Sequence, residues 1–175
     1  MDCIDKMNVI EKNRYFKMLG INKFADYDYS IYVDANIEIY GDLRTITKYT
    51  KITSGVAMFN HSSRGCIYKE AIACKIQKKG DNSKIDKQLK EYEKAGMPRD
   101  FGMCECSIIV KDLRNDFSSK LMSLWWEDFI NRRSYRDQIS FPYIVWENGL
   151  TMNQIGCLGE NISLDGNFRR YNHEV

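Results

Sequence analysis

The sequence predicts an α/β fold in which residues 1–175 form a single domain. Short apolar stretches with strand-type patterning alternate along the chain with segments of helical periodicity, as is typical of α/β proteins. The length suits one domain, and no repeat, linker or low-complexity tract divides the chain. Because 43% of the residues are hydrophobic, a packed core can form without disulfides.

The helical segments are predicted from their apolar periodicity and from the residues that end them. The first helix ends at Gly20, and Ser83 is expected to cap the fourth. In the third helix, the apolar residues Ile67, Cys74 and Ile76 are expected to face inward together with Ala71. The predicted helices lie at residues 11–19, 42–49, 66–79, 83–95, 116–130 and 135–146.

The strands are predicted from short apolar runs that turn signals bound. They lie within residues 29–37, 55–59 and 105–111, with shorter pieces around 154–158 and 167–171. Along the first strand, Ile31 and Val33 point to one face and Tyr32 and Asp34 to the other. This strand ends in polar residues, which is where open α/β sheets commonly place their chemistry.

The composition excludes several classes of protein. A net charge of +2 with interspersed signs is not the footprint of a protein that binds nucleic acid or a membrane surface. The six cysteines include no C-x-x-C pair, so neither a zinc site nor a disulfide framework is expected. No apolar run approaches the ~20 residues of a membrane helix, and the first residues do not open a signal peptide. We therefore expect a soluble cytoplasmic protein with reduced thiols.

The stretch Asp34-Ala35-Asn36 is the first candidate for chemistry. Two oxygen donors two residues apart can turn toward one point if the backbone bends between them, and Mg²⁺ or Mn²⁺ prefers such ligands. The structural alternative is that Asp34 caps the next segment while Asn36 occupies a turn. The spacing alone leaves both interpretations open.

Several motifs follow one another along the chain. A strand that ends in an Asp-x-Asp-like motif follows an Arg-bearing helix, and Gly41-Asp42-Leu43 then opens a helix. The motifs lie in residues 14–19, 27–37, 41–43, 61–71 and 135–143. Together they resemble the glycosyltransferase-like "domain of unknown function 616" family, which is itself similar to GT-A glycosyltransferases. The resemblance implies a Rossmann-related three-layer sandwich with a mixed, mostly parallel sheet.

The resemblance also implies a site for a nucleotide-sugar donor and a glycan acceptor. Asp34 would bind a Mn²⁺ or Mg²⁺ ion on the donor diphosphate, and Asn36 stands where a second aspartate is usual, so metal use is weakened or lost if Asn36 cannot ligate. His173 is the match for a histidine that completes such sites, and its alternative is a frayed chain end.

The resemblance further implies roles for Asp137 and Gln138, which match an Asp-Gln pair that holds the donor sugar in the glycogenin-like branch. Their alternative is structural, because Ser134-x-x-Asp137 is also a capping-box pattern. Glu105 enters a buried strand and is the candidate for a catalytic or acceptor-side carboxylate alongside Asp137. The neighbouring Arg136 is expected to bind substrate.

Four further cationic side chains are candidates for substrate contacts. Arg14 and Lys17 could reach the donor phosphates, although exposed helix charges are the ordinary alternative. His61 and Arg64 lie in a turn where they could pair with a phosphate or an acidic sugar, unless the turn is simply solvated. Glu70 could either orient Arg64 or face water.

Members of the family usually begin well before this chain does, so the resemblance implies that an N-terminal part of the nucleotide-binding half is missing. Three alternatives follow: a partner chain or a second copy completes the nucleotide site, the sequence is a fragment, or the protein has lost ordinary donor binding. The expected function is a glycosyltransferase of hexosyltransferase type that builds a polysaccharide or glycan. The alternatives are a catalytically inactive binding module and, as a weaker third, a hydrolase on the same fold.

Overall fold

A computed structural model describes residues 3–20 and 26–171 of the chain. The α-helices in these ranges are α1 (Val9–Leu19), α2 (Ile67–Ile76), α3 (Asn82–Ala95), α4 (Asp116–Arg132) and α5 (Asp137–Glu147). The strands are β1 (Tyr29–Val33), β2 (Ile37–Ile39), β3 (Val56–Asn60), β4 (Cys104–Asp112), β5 (Gly156–Cys157) and β6 (Phe168–Arg170). Short 3₁₀-helices occur at Cys3–Lys6, Leu43–Tyr49, Met152–Gln154 and Ile162–Leu164. The α/β class is confirmed.

The sheet of four strands has the order β1-β4-β3-β5, and most of its pairings are antiparallel. β4 runs antiparallel to both β1 and β3, and only β3 and β5 run parallel. The prediction of a mostly parallel sheet is therefore wrong. The physical reason is that two helices, not one, connect β3 to β4 and again β4 to β5, so each connection returns the chain in the opposite direction.

Two hydrophobic clusters lie on opposite faces of this sheet. The larger one joins β3 and β4 to the five α-helices through residues such as Met58, Ile109 and Trp125. The smaller one contains Phe59 and Val110 and is covered by the 3₁₀-helix Leu43–Tyr49 and by a two-stranded ribbon of β2 and β6. The sheet thus separates a layer of α-helices from a thinner layer. The GT-A assignment and the single-domain boundaries stay predictions.

Several helix boundaries differ from the predicted ones. α1 begins two residues early because Asn8 and Glu11 form a reciprocal capping box. α3 is capped by Asp81, whose carboxylate accepts the amide of Lys84, so the predicted cap at Ser83 is wrong. Gly20 does follow the end of α1, as predicted.

Ile76 was expected to face the core but is 76% exposed, whereas Ile67, Ala71 and Cys74 are buried. The buried residues are spaced by four and three positions, which keeps them on one helical face. Ile76 follows Cys74 by two positions, or about 200° around the helix axis, and therefore points to solvent.

Cys66, Cys74, Cys104, Cys106 and Cys157 carry free thiols. No helix within residues 3–20 and 26–171 has the length and apolar character needed to cross a membrane.

The sheet brings the end of β1 beside the beginning of β4. The two strands pair from Tyr29 opposite Asp112 to Val33 opposite Ile108, and the amide of Asp34 then donates to the carbonyl of Ser107 at 2.9 Å. Because the strands are antiparallel, the polar end of β1 meets the polar start of β4. This edge of the sheet carries the candidate site.

Candidate functional site

A cleft of about 360 Å³ opens at this edge of the sheet. Its size is within the range of small-molecule binding sites. Five cationic and three carboxylate side chains line it, which gives the lining a formal net charge of +2. The lining residues are Arg14, Lys17, Asp34, Asn36, Lys79, Glu105, Cys106, Ser107, Arg136, Asp137, Gln138, Arg170 and Tyr171. The cleft is therefore suited to an anionic ligand.

Asp137, the first residue of α5, anchors the floor of this cleft. Its Oδ2 lies 2.8 Å from Lys17 Nζ and 2.9 Å from Arg14 Nε, both supplied by α1. The side chains of Asp137 and Lys17 are 5% and 2% exposed, so these charges depend on each other. Burial alone would raise the pKa of Asp137, but Lys17 and Arg14 outweigh it and hold that pKa well below its usual range.

The capping-box alternative for Asp137 is wrong. α5 begins at Asp137 itself, and its N-cap is Arg136, which makes no side-chain capping bond. Instead, the indole Nε1 of Trp125 donates to the carbonyl of Asp137 at 3.0 Å, which fixes the start of the helix from the core side. The carboxylate of Asp137 therefore does not cap the helix and instead pairs with the two cations of α1.

Asp34 extends the same charged network toward solvent. Its Oδ1 accepts the hydroxyl of Tyr32 at 2.7 Å and lies 3.8 Å from Lys17 Nζ. Burial and the adjacent Asp34 carboxylate raise the pKa of Tyr32, so this phenol stays a donor at neutral pH. Lys17 thus lies between two carboxylates, one buried and one reachable from the cleft.

The β2–β6 ribbon brings a distant part of the chain to Asn36. The carboxamide nitrogen of Asn36 donates to the carbonyl of Tyr171 at 2.9 Å, and the amide of Tyr171 donates back to the carbonyl of Asn36 at 2.8 Å. These residues are 135 positions apart in sequence. Asn36 therefore has a defined structural role, and its side-chain oxygen makes no hydrogen bond among the described residues.

Glu105 and Gln138 lie on the opposite wall of the cleft. A carboxylate oxygen of Glu105 lies 3.2 Å from Arg170 Nη2 and accepts the hydroxyl of Ser107 at 3.2 Å. Gln138 Nε2 donates to the carbonyl of Cys104 at 3.3 Å. Glu105 is 22% exposed, so its carboxylate is paired but still accessible.

His61 and Arg64 do not line this cleft. They surround Glu70, whose carboxylate also lies 3.4 Å from Arg136 Nη2. Although burial raises the pKa of Glu70, hydrogen bonds from His61 and Arg64 outweigh it and lower the pKa to about 2. Of the two alternatives for Glu70, the structure has it orient Arg64. His61 is 6% exposed, so the turn is not simply solvated. Through Glu70, this cluster also contacts Arg136, which lines the cleft.

A second cleft of about 850 Å³ adjoins the first. Both are lined by Arg14, Asp34, Asn36, Lys79 and Arg136. The second cleft adds an apolar wall from Val9, Ile10 and Tyr135. The cations therefore lie between a polar region and a more apolar one.

Most of the predicted site residues come together here. Those that line the first cleft are Arg14, Lys17, Asp34, Asn36, Glu105, Arg136, Asp137 and Gln138. His173 lies outside the described residues, and the functional role of every predicted residue stays a prediction. Lys79, Arg170 and Tyr171 were missed, since no local motif marks them and only the fold brings them to the cleft.

The residues around Asp34 do not fit a divalent cation well. Within residues 3–20 and 26–171, no three His, Cys, Asp or Glu side chains are grouped as metal ligands. The nearest candidate carboxylates are already associated with ammonium or guanidinium groups, since Lys17 approaches Asp34 and pairs with Asp137. A divalent ion placed on Asp34 would meet a fixed positive charge, which opposes its binding.

The comparisons with known proteins bear on most of the chain. The family model described as "TOD1/MUCI70, glycosyltransferase-like domain" matches residues 9–155. Neither the search of curated proteins nor that of solved structures finds a match. The matched range includes the cleft residues from Arg14 to Gln138 and excludes Arg170 and Tyr171.

Proposed function

This chain belongs to the TOD1/MUCI70 glycosyltransferase-like family, and we propose that it transfers a sugar from a nucleotide-sugar donor to a glycan acceptor. The observation that carries the proposal is the basic cleft, which Asp137 and Gln138 line together with five cationic side chains. The predicted resemblance to a glycosyltransferase-like family is confirmed at this level. Its finer attributions, including a missing N-terminal part, stay predictions.

The order of chemical groups along the two clefts supports a nucleotide sugar as the ligand. The shared cations can hold a diphosphate, because guanidinium and ammonium groups form strong charge-assisted hydrogen bonds with phosphate oxygens. On one side, Gln138 and Glu105 offer polar groups to sugar hydroxyls. On the other, Ile10 and Tyr135 offer apolar surface to a nucleoside.

The proposed reaction breaks the bond between the anomeric carbon of the sugar and the diphosphate, and forms a bond from that carbon to an acceptor oxygen. Negative charge develops on the leaving diphosphate, so cations already aimed at it lower the barrier. Glu105 is accessible and can accept the proton of the acceptor hydroxyl. Asp137 is paired with Lys17 and Arg14, and its role is to position these two cations and the adjoining Gln138.

A catalytically inactive binding module is the second candidate. The observation that favours it is Asn36, which stands where a carboxylate is usual and whose amide nitrogen is bound to Tyr171. Such a module would bind the same donor without turnover. The two candidates differ in product formation, not in binding.

We expect one member of a panel of UDP-, GDP- and CMP-sugars to raise the melting temperature and to release free nucleotide when a glycan acceptor is added. Glu105→Gln should still bind the donor but no longer release nucleotide. Glu127 is exposed, and Glu127→Gln should change neither donor binding nor nucleotide release. Binding without release in the wild type would support the inactive module. If no donor changes the melting temperature of the folded protein, both candidates are refuted.

A further inference from the structure

An anionic ligand of the cleft needs positive charge around it. Lys79 supplies a cation that is not paired within the described part of the chain. Among the described residues, the side chain of Lys79 makes no ion pair or hydrogen bond, yet it lines both clefts. Most other cations of the lining are partly committed: Lys17 and Arg14 to Asp137, and Arg170 to Glu105. Lys79 is thus available to a ligand.

Arg136 has unused donor capacity as well. Its Nη2 contacts Glu70 at a long 3.4 Å, and its Nε is buried without an acceptor in the described part of the chain. A buried donor without a partner destabilises the free protein unless water or a ligand supplies an acceptor. Since Arg136 lines both clefts, its guanidinium can also donate to a ligand oxygen.

The backbone holds Lys79 and Arg136 on adjoining turns. Lys79 lies between Lys78 and Gly80, which both have left-handed φ values of 53° and 82°. A Cβ on Gly80 would come within 2.7 Å of the carbonyl of Ser134 and 3.0 Å of Arg136 Cγ. The two turns are therefore in close contact, and the close approach depends on glycine.

These cations already supply the positive charge that a metal ion would bring to a diphosphate. Asp34 has Lys17 beside it, Asp137 is paired with two cations, and Asn36 offers only a neutral carboxamide oxygen. The Asp34 carboxylate beside an ammonium group, with a neutral amide oxygen next to it, is a poor ligand set for Mg²⁺ or Mn²⁺. The same surroundings favour a phosphate oxygen.

We propose that the cleft binds the phosphate groups of its ligand through Lys79, Arg136 and Arg14, without a divalent metal ion. The inference rests on the proposed function, because it names how that donor site offsets the diphosphate charge. It also means that this chain does not use the metal ion that its Asp-x-Asn motif suggests.

The test is calorimetric titration of the full chain with inorganic pyrophosphate, in EDTA and again with Mg²⁺ or Mn²⁺. We expect binding in EDTA with an affinity that the metals do not increase. Lys79→Met should weaken that binding about tenfold, as loss of one charge-assisted hydrogen bond does. The matched variant Lys90→Met removes an exposed lysine from the middle of α3 and should bind like the wild type.

Binding that appears only with Mg²⁺ or Mn²⁺ would overturn the inference and leave the proposed function standing. Unchanged affinity in a folded Lys79→Met variant would also overturn it, and melting curves of both variants show whether they are folded. Absence of pyrophosphate binding with and without metal would count against the proposed donor site itself.

Discussion

Lys111 is a buried cation that carries a measurable stability penalty. It is 1% exposed, and its Nζ donates to the carbonyl of Lys17 at 3.1 Å, near the end of α1. Burial lowers the pKa of Lys111 from the 10.5 of an exposed lysine to about 7. The folded protein therefore releases this proton at a lower pH than the unfolded chain does.

The sign and size of the effect follow from this difference. Below about pH 7 both states are protonated, and at about 1.4 kcal/mol per pH unit the charged Lys111 destabilises the folded state by ~4–5 kcal/mol. Between pH 7 and 10.5 the unfolded state binds one proton more, so the free energy of unfolding rises with pH. Above that range the penalty is absent.

Lys111→Met removes the penalty together with the hydrogen bond to Lys17, which contributes about 1 kcal/mol. We expect the variant to exceed the wild type in unfolding free energy by ~3 kcal/mol near pH 6.5, and by well under ~1 kcal/mol near pH 9.5. Urea unfolding followed by tryptophan fluorescence at both pH values measures the two differences.

A difference between variant and wild type that is the same at both pH values would refute this reasoning. So would a variant that is less stable at both. Lys90→Met, which replaces an exposed lysine in α3, should show no pH-dependent difference and serves as the control.

Three further substitutions test the ion pairs and the turns that shape the cleft. Asp137→Asn should lower the unfolding free energy in urea by about 3–5 kcal/mol, because Lys17 would lose its buried counter-charge. Glu70→Gln should destabilise by roughly 3 kcal/mol above pH 4.5, and the difference should vanish in melting curves as the pH falls through about 2. Gly80→Ala should lower the unfolding free energy by ~1–3 kcal/mol, because its φ is 82° and its Cβ would approach Ser134.

Each substitution has a matched control at an exposed position. Asp100→Asn breaks the exposed pair with Lys69 and should leave the unfolding free energy nearly unchanged. Glu93→Gln should show no loss comparable to that of Glu70→Gln. Gly166→Ala places its Cβ in open space. If a control is as destabilising as its partner, the burial or strain argument for that partner fails.

The sequence predicted the elements of the fold better than their directions. Strand alternation in β1 correctly placed Tyr32 and Ile31 on opposite faces of the sheet, since a period of two follows from strand geometry. The strand directions depend on how many helices separate two paired strands. The predicted helices 66–79 and 83–95 already separate the strands that became β3 and β4, but the mostly parallel sheet was taken from the family resemblance and not from that number.

Residues of the candidate site could be predicted from the sequence where a local motif contains them. Asp34 was identified at the polar end of a predicted strand and Asp137 from an Asp-Gln pair that the resemblance supplies, and both line the cleft. Lys79 and Arg170 were not identified, because their positions depend on a turn conformation and on the pairing of β6 with β2. Long-range pairing of this kind leaves no periodic signal in the local sequence.

The β2–β6 ribbon implies an order in which the protein is assembled as it is synthesised. Everything from α1 to β5 leaves the ribosome before β6, yet β6 brings Arg170 and Tyr171 to the cleft. The helical core can therefore fold before the cleft has its last wall, since closing so long a loop comes late. A two-stranded ribbon is marginal by itself, and this one buries the side chains of Ile37 and Phe168 against the sheet. We expect its amides to exchange with deuterium faster than those of β4, so the wall can detach from a folded core.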